Sequence, residues 1–559
     1  MTPLRRLARA AAFVLATVGA AGAAAGAAFG AEVRAQVRAA EAISAPVTGA
    51  ALPATAANAT ERAELQRLYP NANLLWLDAS GRTSDAARDA IKLLAAAENE
   101  GLDPADYGIA TLSARAPALP DASPATRAEW DAAFSLAVLR YLRDLHFGRV
   151  DPKALGFRVS PRRADEQDLA ARLAGAIAQR RVTQLAAELV PQIPQYAELR
   201  DALARYRQLA HNMPATVLAP QKTSVRPGDP YADADALRLR LAQLGDLPAG
   251  TPQGAGPIYD AALAEGVTRF QARHGLAADG VLGKATLTAL NVPIAQRVRQ
   301  IEFGLERMRW LPQPDGQRIL AINIPMFRLW AWGDDPRSVK PALAIDVIVG
   351  RALKTQTPVF SDKMRYLVFR PYWNVPRSIT RNEVLPAIAR DPGYLAKHDM
   401  EIVRGASDNA QVLAPTPESV ALLRDGTVRV RQRPGPNNSL GLVKFIFPND
   451  ANIYLHSTPA QSLFERSRRD FSHGCVRVED PVALAEWVLQ DQPQWTRERI
   501  VAAMQETPNL RVNLSQPLPV LLYYVTAIVS PEDGRLHFSD DIYGHDKKLA
   551  RALAAQRLR

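Results

Sequence analysis

One cysteine, Cys475, stands in a chain of 559 residues. That scarcity excludes any disulfide within the chain, and it leaves no thiol near the N-terminus for lipid attachment. Long hydrophobic runs are also missing. The apolar stretch Ala10–Val18 passes into a weakly hydrophobic Ala/Gly-rich tail, which disfavours a permanent transmembrane helix. Basic residues exceed acidic ones, 68 to 57, for a formal charge of +11, but they are spread along the chain and accompany no nucleic-acid motif. A nucleic-acid partner is therefore not expected. The charge suits either an acidic polymer or a solvated, arginine-rich surface. His274 has no companions at ligand spacing, so no metal site is expected there.

At this length, with 47% hydrophobic residues, several domains with real cores are expected. The lone cysteine must be explained by packing or by its own chemistry. It lies in Ser472-His473-Gly474-Cys475-Val476-Arg477-Val478, 19 positions after His456. The intervening chain runs from the strand-like Asn452–Pro459 through a polar loop, which is enough to bring imidazole and thiol together. A thiolate attacks carbonyl carbon and a neighbouring imidazole takes its proton, which would make His456 the general base. Gly474 suits a tight approach to Cys475, and the amides of Gly474 and Cys475 are candidates for an oxyanion hole.

These residues resemble the signature of the L,D-transpeptidase catalytic domain of the YkuD type. The resemblance implies Cys475 as nucleophile and His456 as proton donor and acceptor, with the Ser457 carbonyl orienting the imidazole. It places His473 in support and Ser472, Arg477 and Tyr454 at the substrate. The segment Trp373-Asn374-Val375-Pro376 resembles the family's cleft segment, so Trp373 and Asn374 are further substrate candidates, with a core role for Trp373 the equal competitor.

From the start, residues 1–31 read as a signal peptide, with Arg5, Arg6 and Arg9 ahead of the apolar run, and 32–60 as a flexible leader. An inner-membrane anchor is expected only if the signal stays uncleaved. A helical scaffold domain is expected over 61–211. Ser84 opens one helix there, and Trp130, Phe134, Val138, Tyr141, Leu142 and Leu145 recur at helical spacing as core. A proline-bearing linker follows at 212–230.

Residues 231–292 read as amphipathic helices broken by glycine turns, with Phe270 in the core and Asp279-Gly280 as a turn. Phe270-Gln271-x-Arg273-His274-Gly275-Leu276 and Asp279-Gly280-x-x-Gly283-x-x-Thr286 also resemble the peptidoglycan-binding module, whether it binds wall polymer or braces its neighbour. A mostly β catalytic domain is expected over 300–510, interrupted at 380–431 by a helical insertion placed where a lid would close. C-terminal strands and a tail follow over 511–559. The fold class is thus multidomain α+β.

Over roughly residues 60–550, and most strongly over 267–480, the chain resembles the large periplasmic YcbB-like subgroup. The resemblance implies acyl transfer in a Gram-negative periplasm. Cys475 attacks the L-centre carbonyl of diaminopimelate in a tetrapeptide stem, D-alanine leaves, and the acceptor stem's amine resolves the thioester into a diaminopimelate-diaminopimelate cross-link. No cofactor is implied, and carbapenems should acylate the same thiol. Resolution by water would make an L,D-carboxypeptidase, and resolution by a lysine would attach or release a lipoprotein. A wall-binding scaffold without activity is the non-enzymatic alternative. A papain-like protease is disfavoured, because there the cysteine precedes its histidine in the chain.

Overall fold

The computed structural model describes residues 58–557 apart from 71–72, 160–167, 214–215, 249–255, 313–315, 334, 336–337, 339, 354, 406 and 507. The expected signal peptide and nearly all of the leader lie outside them. Among the described residues, no helix is long and apolar enough to cross a membrane.

Two compact units are present. The first comprises the described residues up to Ala97 with Asp103–Arg143 and Asp165–Leu189. It is helical. Asn58 and Glu61 close a reciprocal capping box on helix Ala59–Leu68, and Ser84 Oγ accepts the Ala87 amide to start helix Asp85–Ala95. Helix Pro124–Phe147, as far as Arg143, contributes Trp130 and Phe134, which stack at 5.0 Å, and Trp76 meets Phe134 edge-on at 4.9 Å. Asp131, fully buried on the same helix, accepts the amides of Leu75 and Trp76 and the Tyr69 hydroxyl. A buried carboxylate is tolerated because donors surround it.

The second unit comprises Glu98–Leu102, Asp144–Ala164 and Val190–Arg559. Helix Pro194–Asn212, which falls in the expected scaffold region, belongs to this unit. The cause is its packing: Tyr196, Leu199 and Leu203 are buried with Ile301, Leu305 and Met308 of helix Ile294–Arg309. Arg309, 1% exposed, is held by Tyr196 Oη at 2.9 Å and by Glu306.

A helical module follows, with helices Ala234–Leu244, Ala261–Arg273 and Lys284–Leu290. Its motif residues are structural. Phe270 is core, Gln271 binds the turn through Gly280 N–H and Val281 O, and Arg273 Nε meets Asp246 Oδ1 at 2.7 Å in a buried ion pair. Gly280 has φ of +67°, which glycine tolerates in such a turn. Within the segment expected as a linker, Leu218 and Val225 lie in this module's core, and Asn291 holds both backbone groups of Leu218.

The β strands are β1 (Ile319–Asn323), β2 (Arg328–Trp332), β3 (Leu343–Gly350), β4 (Phe360–Phe369), β5 (Trp373–Asn374), β6 (Met400–Arg404), β7 (Gln411–Leu413), β8 (Arg429–Gln432), β9 (Val443–Ile446), β10 (Leu455–His456), β11 (Asp470–Ser472), β12 (Val476–Val478), β13 (Leu510–Tyr523), β14 (Ala527–Val529) and β15 (Leu536–Phe538). Nine of them share one sheet in the order β11-β3-β12-β10-β9-β4-β13-β1-β2. Pairing of β2 with β3 closes eight of these into a ring, which removes the open edges. β13 lies between β1 and β4, so the expected boundary at 510 falls at the start of a strand that the ring requires.

The insertion expected to be helical is mixed. Short helices and a π-helical turn at Thr380–Val384 combine with a four-stranded antiparallel sheet, β5-β8-β6-β7, and helix Pro417–Asp425. Its strands evade the usual apolar alternation because Arg429-Val430-Arg431-Gln432 carries charge. Arg431 is nevertheless 3% exposed, satisfied by Glu401 at 2.8 Å and lying over the Tyr372 ring at 4.1 Å.

Candidate active site

The site is built on three neighbouring strands. His456 on β10 is opposite Lys444 of antiparallel β9 and opposite Arg477 of parallel β12. Side chains alternate faces along a strand. Leu455, Phe445 and Val476, in register with one another, are fully buried in the barrel core. Lys444, His456 and Arg477 therefore share the other face. Tyr454 and Cys475, one residue earlier than the Leu455–Val476 pair, join them there, and the Val476 amide donates to Tyr454 O at 3.1 Å.

His456 is 4% exposed. Its Nδ1 lies 2.6 Å from the Ser457 carbonyl, an acceptor only, so Nδ1 carries the hydrogen and Nε2 keeps its lone pair. Burial, aided by the charges of Arg477 and Lys444, lowers the imidazole to about 3, so it is neutral at ordinary pH. Ser457 acts a second time through its side chain, whose Oγ accepts the amides of Leu442 at 2.6 Å and Val443 at 3.2 Å.

Cys475 follows a rigid turn. Ser472 Oγ donates to Cys475 O at 2.6 Å and accepts the Gly474 amide at 3.1 Å. Gly474 has φ of +116°, a backbone region that a side chain would strain. The loop after β3 holds the turn from below: Thr357 Oγ1 donates to Gly474 O at 2.7 Å, and Thr355 Oγ1 to Ser472 O at 3.0 Å. Tyr543 fixes that loop, donating to Gly350 O at 2.6 Å and accepting the Thr357 amide. Since the Gly474 amide is bound by Ser472, only the Cys475 amide of the expected oxyanion pair is without a hydrogen-bond partner among the described residues. Burial pushes the Cys475 thiol up, opposed by Tyr454, Lys444 and Arg477. Thiol and imidazole are thus both neutral at rest.

Tyr454 sits beside the His456 ring at 5.8 Å, and Lys444 Nζ lies 4.3 Å over the Tyr454 ring. His473 Nε2 is 2.9 Å from Glu383 Oε1 of the insertion's π-helical turn. Trp373 packs against the insertion's own core, beside Val375 and Ile379, and Asn374 is exposed on the same strand. Neither makes a hydrogen bond to Cys475 or His456 among the described residues.

Sequence reasoning missed Lys444, Arg351, Thr357, Tyr543 and Glu383. Lys444 had a signal, a lone cation in the apolar strand Val443–Ile446.

Residues 317–501 match the model of the "L,D-transpeptidase catalytic domain", 231–290 that of the "Putative peptidoglycan binding domain", and 63–203 that of the "Scaffold domain". A curated protein of Haemophilus influenzae named "Putative L,D-transpeptidase" is 31% identical over 283 residues, 49% of this chain and 55% of that protein. The chain thus spans about half the length of that relative. Two crystal structures of L,D-transpeptidases are also similar. The one from Xylanimonas cellulosilytica is 16% identical, covering 55% of this chain and all of the other at a TM-score of 0.17. The one from Stackebrandtia nassauensis is 14% identical, covering 55% and 97% at a TM-score of 0.23.

Proposed function

We propose, from the match of residues 317–501 to the L,D-transpeptidase catalytic domain and of 231–290 to the putative peptidoglycan binding domain, that this chain cross-links peptidoglycan stems through a thioester on Cys475. Such domains act on peptidoglycan, which lies outside the cytoplasm; the periplasm is the compartment we assign. The observation that carries the reading is the shared face of β10 and β12, where a buried histidine with its Nδ1 bound to the Ser457 carbonyl stands in the row next to a partly exposed thiol.

The chemistry follows from those protonation states. Cys475 Sγ attacks the carbonyl at the L-centre of a donor diaminopimelate while its proton passes to His456 Nε2. The Cys475 amide faces the oxyanion. The carbon–nitrogen bond to the terminal D-alanine breaks, and His456 returns the proton to the leaving amine. An acceptor's primary amine then attacks the thioester and gives its proton to His456, and the departing sulfur regains one. Neutral partners suit this cycle, since the proton is shuttled rather than held.

Incubating the protein and its Cys475→Ala variant with disaccharide-tetrapeptide, and examining protein and products by mass spectrometry, tests the reading. A thioester and cross-linked dimers with the unaltered protein alone support it. Tripeptide without dimers would replace it with carboxypeptidase activity, and no adduct with stem or carbapenem would leave a wall-binding scaffold.

A further inference from the structure

Three cations crowd the Cys475 side of the barrel without anions of their own. Lys444 and Arg477 flank His456 in one row across β9, β10 and β12. Arg351, on the loop after β3, is close enough for its charge to act on Arg477, and its backbone amide binds Ser472 O. Among the described residues none of the three makes an ion pair. The buried Arg477 Nε has no hydrogen-bond partner there. Asp408 of the insertion acts on Lys444 from a distance but forms no ion pair with it. Lys444 Nζ lies over the face of Tyr454, and the Lys444 and Arg477 charges both act on the Cys475 thiol. Burial holds both the Lys444 ammonium and the Arg477 guanidinium below their ordinary values. Lys444 and Arg477 are half-buried and Arg351 is exposed, and gathering unpaired cations of which two are partly withdrawn from water is costly unless an anion completes them.

The row specifies which anion. A leaving amine takes its proton at His456 Nε2, and in an α-amino acid the carboxylate is attached to the carbon next to that nitrogen. A single leaving residue with a free C-terminus would therefore present its carboxylate between the cations on either side of His456. Neighbouring strands stand about 4.8 Å apart, so the two flanking cations span a carboxylate without strain. We propose that Lys444, Arg477 and Arg351 form a subsite for the free C-terminal carboxylate of the donor's last residue, and so limit the enzyme to removing one terminal residue. This rests on the acyl-transfer reading above.

Two measurements test it. In the first, acylation of Cys475 is followed by mass spectrometry with a tetrapeptide donor ending in D-alanine and with the same donor ending in D-alaninamide. The free acid should acylate at least about tenfold faster in kcat/KM, and Lys444→Met or Arg351→Met should reduce that acid-over-amide ratio several-fold, whatever either variant does to the two rates in common. Equal rates for acid and amide would overturn the subsite with acyl transfer intact. In the second, N-acetyl-D-alanine and N-acetyl-D-alaninamide are titrated into the Cys475→Ala variant by NMR. This reads the subsite whether or not any donor reacts. The acid should saturate at roughly tenfold lower concentration, and Lys444→Met should erase the difference; identical titrations would refute the proposal. Methionine keeps the apolar stem of Lys444, so the variant should fold, which its melting temperature checks.

Discussion

The barrel and the helical module each bury a histidine in nearly the same way. His456 directs Nδ1 to the Ser457 carbonyl at 2.6 Å, and His274 directs Nδ1 to the Phe270 carbonyl at 2.7 Å. Burial lowers both, and arginines lower them further: Arg477 for the first, Arg273 and Arg297 for the second. The difference is what faces the rest of the ring. His274 is stacked on Phe270 at 3.8 Å and on Phe538 at 5.4 Å, packed between aromatic faces. His456 has Tyr454 beside it and a thiol in the next row. A depressed imidazole is therefore no mark of chemistry by itself; a reactive neighbour is.

The largest test of that contrast is kinetic. His456→Ala should lower kcat/KM for Cys475 acylation by about a thousandfold or more, the scale of losing a general base with no substitute. His274→Leu should leave it within a few-fold. Stopped-flow acylation by a carbapenem or a tetrapeptide donor measures both, and a His274→Leu loss comparable to that of His456→Ala would erase the distinction.

Acid should treat the two alike. His456 is lowered to about 3, His545 to about 4 by burial, and His274 well below its ordinary value. Each binds a proton in the unfolded chain near pH 6.5 and in the folded chain only far lower, so the unfolded state takes up more protons in between. Stability is then full above about pH 6.5 and falls as pH drops toward 4, by at most about 1.4 kcal/mol per pH unit for each histidine. Urea midpoints measured from pH 7.5 to 4 should show this slope, and His274→Leu should make it shallower by one histidine's share. A stability independent of pH across that window would contradict both burial arguments.

How much of this was readable in the chain follows the range of the interactions. Cys475, His456 and Ser457 are close in sequence and carry a recognisable order, and Phe270 and the Asp279-Gly280 turn follow from local periodicity and turn chemistry. Lys444 reaches the site only because β9 pairs antiparallel with β10, a register that no local pattern specifies. Arg351 and Thr357 arrive through the loop after β3, more than a hundred residues before the thiol. The insertion's strands were missed because Arg431 is buried by Glu401 and Tyr372, partners contributed by distant segments. The Gly474 amide, an oxyanion candidate by sequence, is bound by Ser472 Oγ, a partner that motif order alone does not specify.

Support around the two histidines should be measurable at intermediate scale. Ser457→Ala leaves the amides of Leu442 and Val443 without Oγ, a loss of about 1–3 kcal/mol for buried donors. The histidine's own bond to the Ser457 carbonyl remains. Thermal unfolding should therefore register the change while acylation falls only several-fold, the reverse of the His456→Ala pattern. An acylation loss as large as that of His456→Ala would mean that Oγ, not the carbonyl, sets the imidazole.

The smallest effect belongs to the bond between His473 and Glu383. Both side chains are partly exposed, 35% and 53%, so the pair contributes no more than about 0.5 kcal/mol to stability. Glu383→Gln preserves shape and removes the charge, and its melting temperature should be indistinguishable from that of the unaltered protein. Yet this bond joins the turn that carries Cys475 to the insertion's π-helical turn, so the insertion's hold on the catalytic loop should respond where stability does not. Hydrogen exchange at residues 377–390 and 472–475 should quicken together in Glu383→Gln and remain unchanged in His274→Leu. Faster exchange in the insertion alone would show that the bond does not couple the two segments.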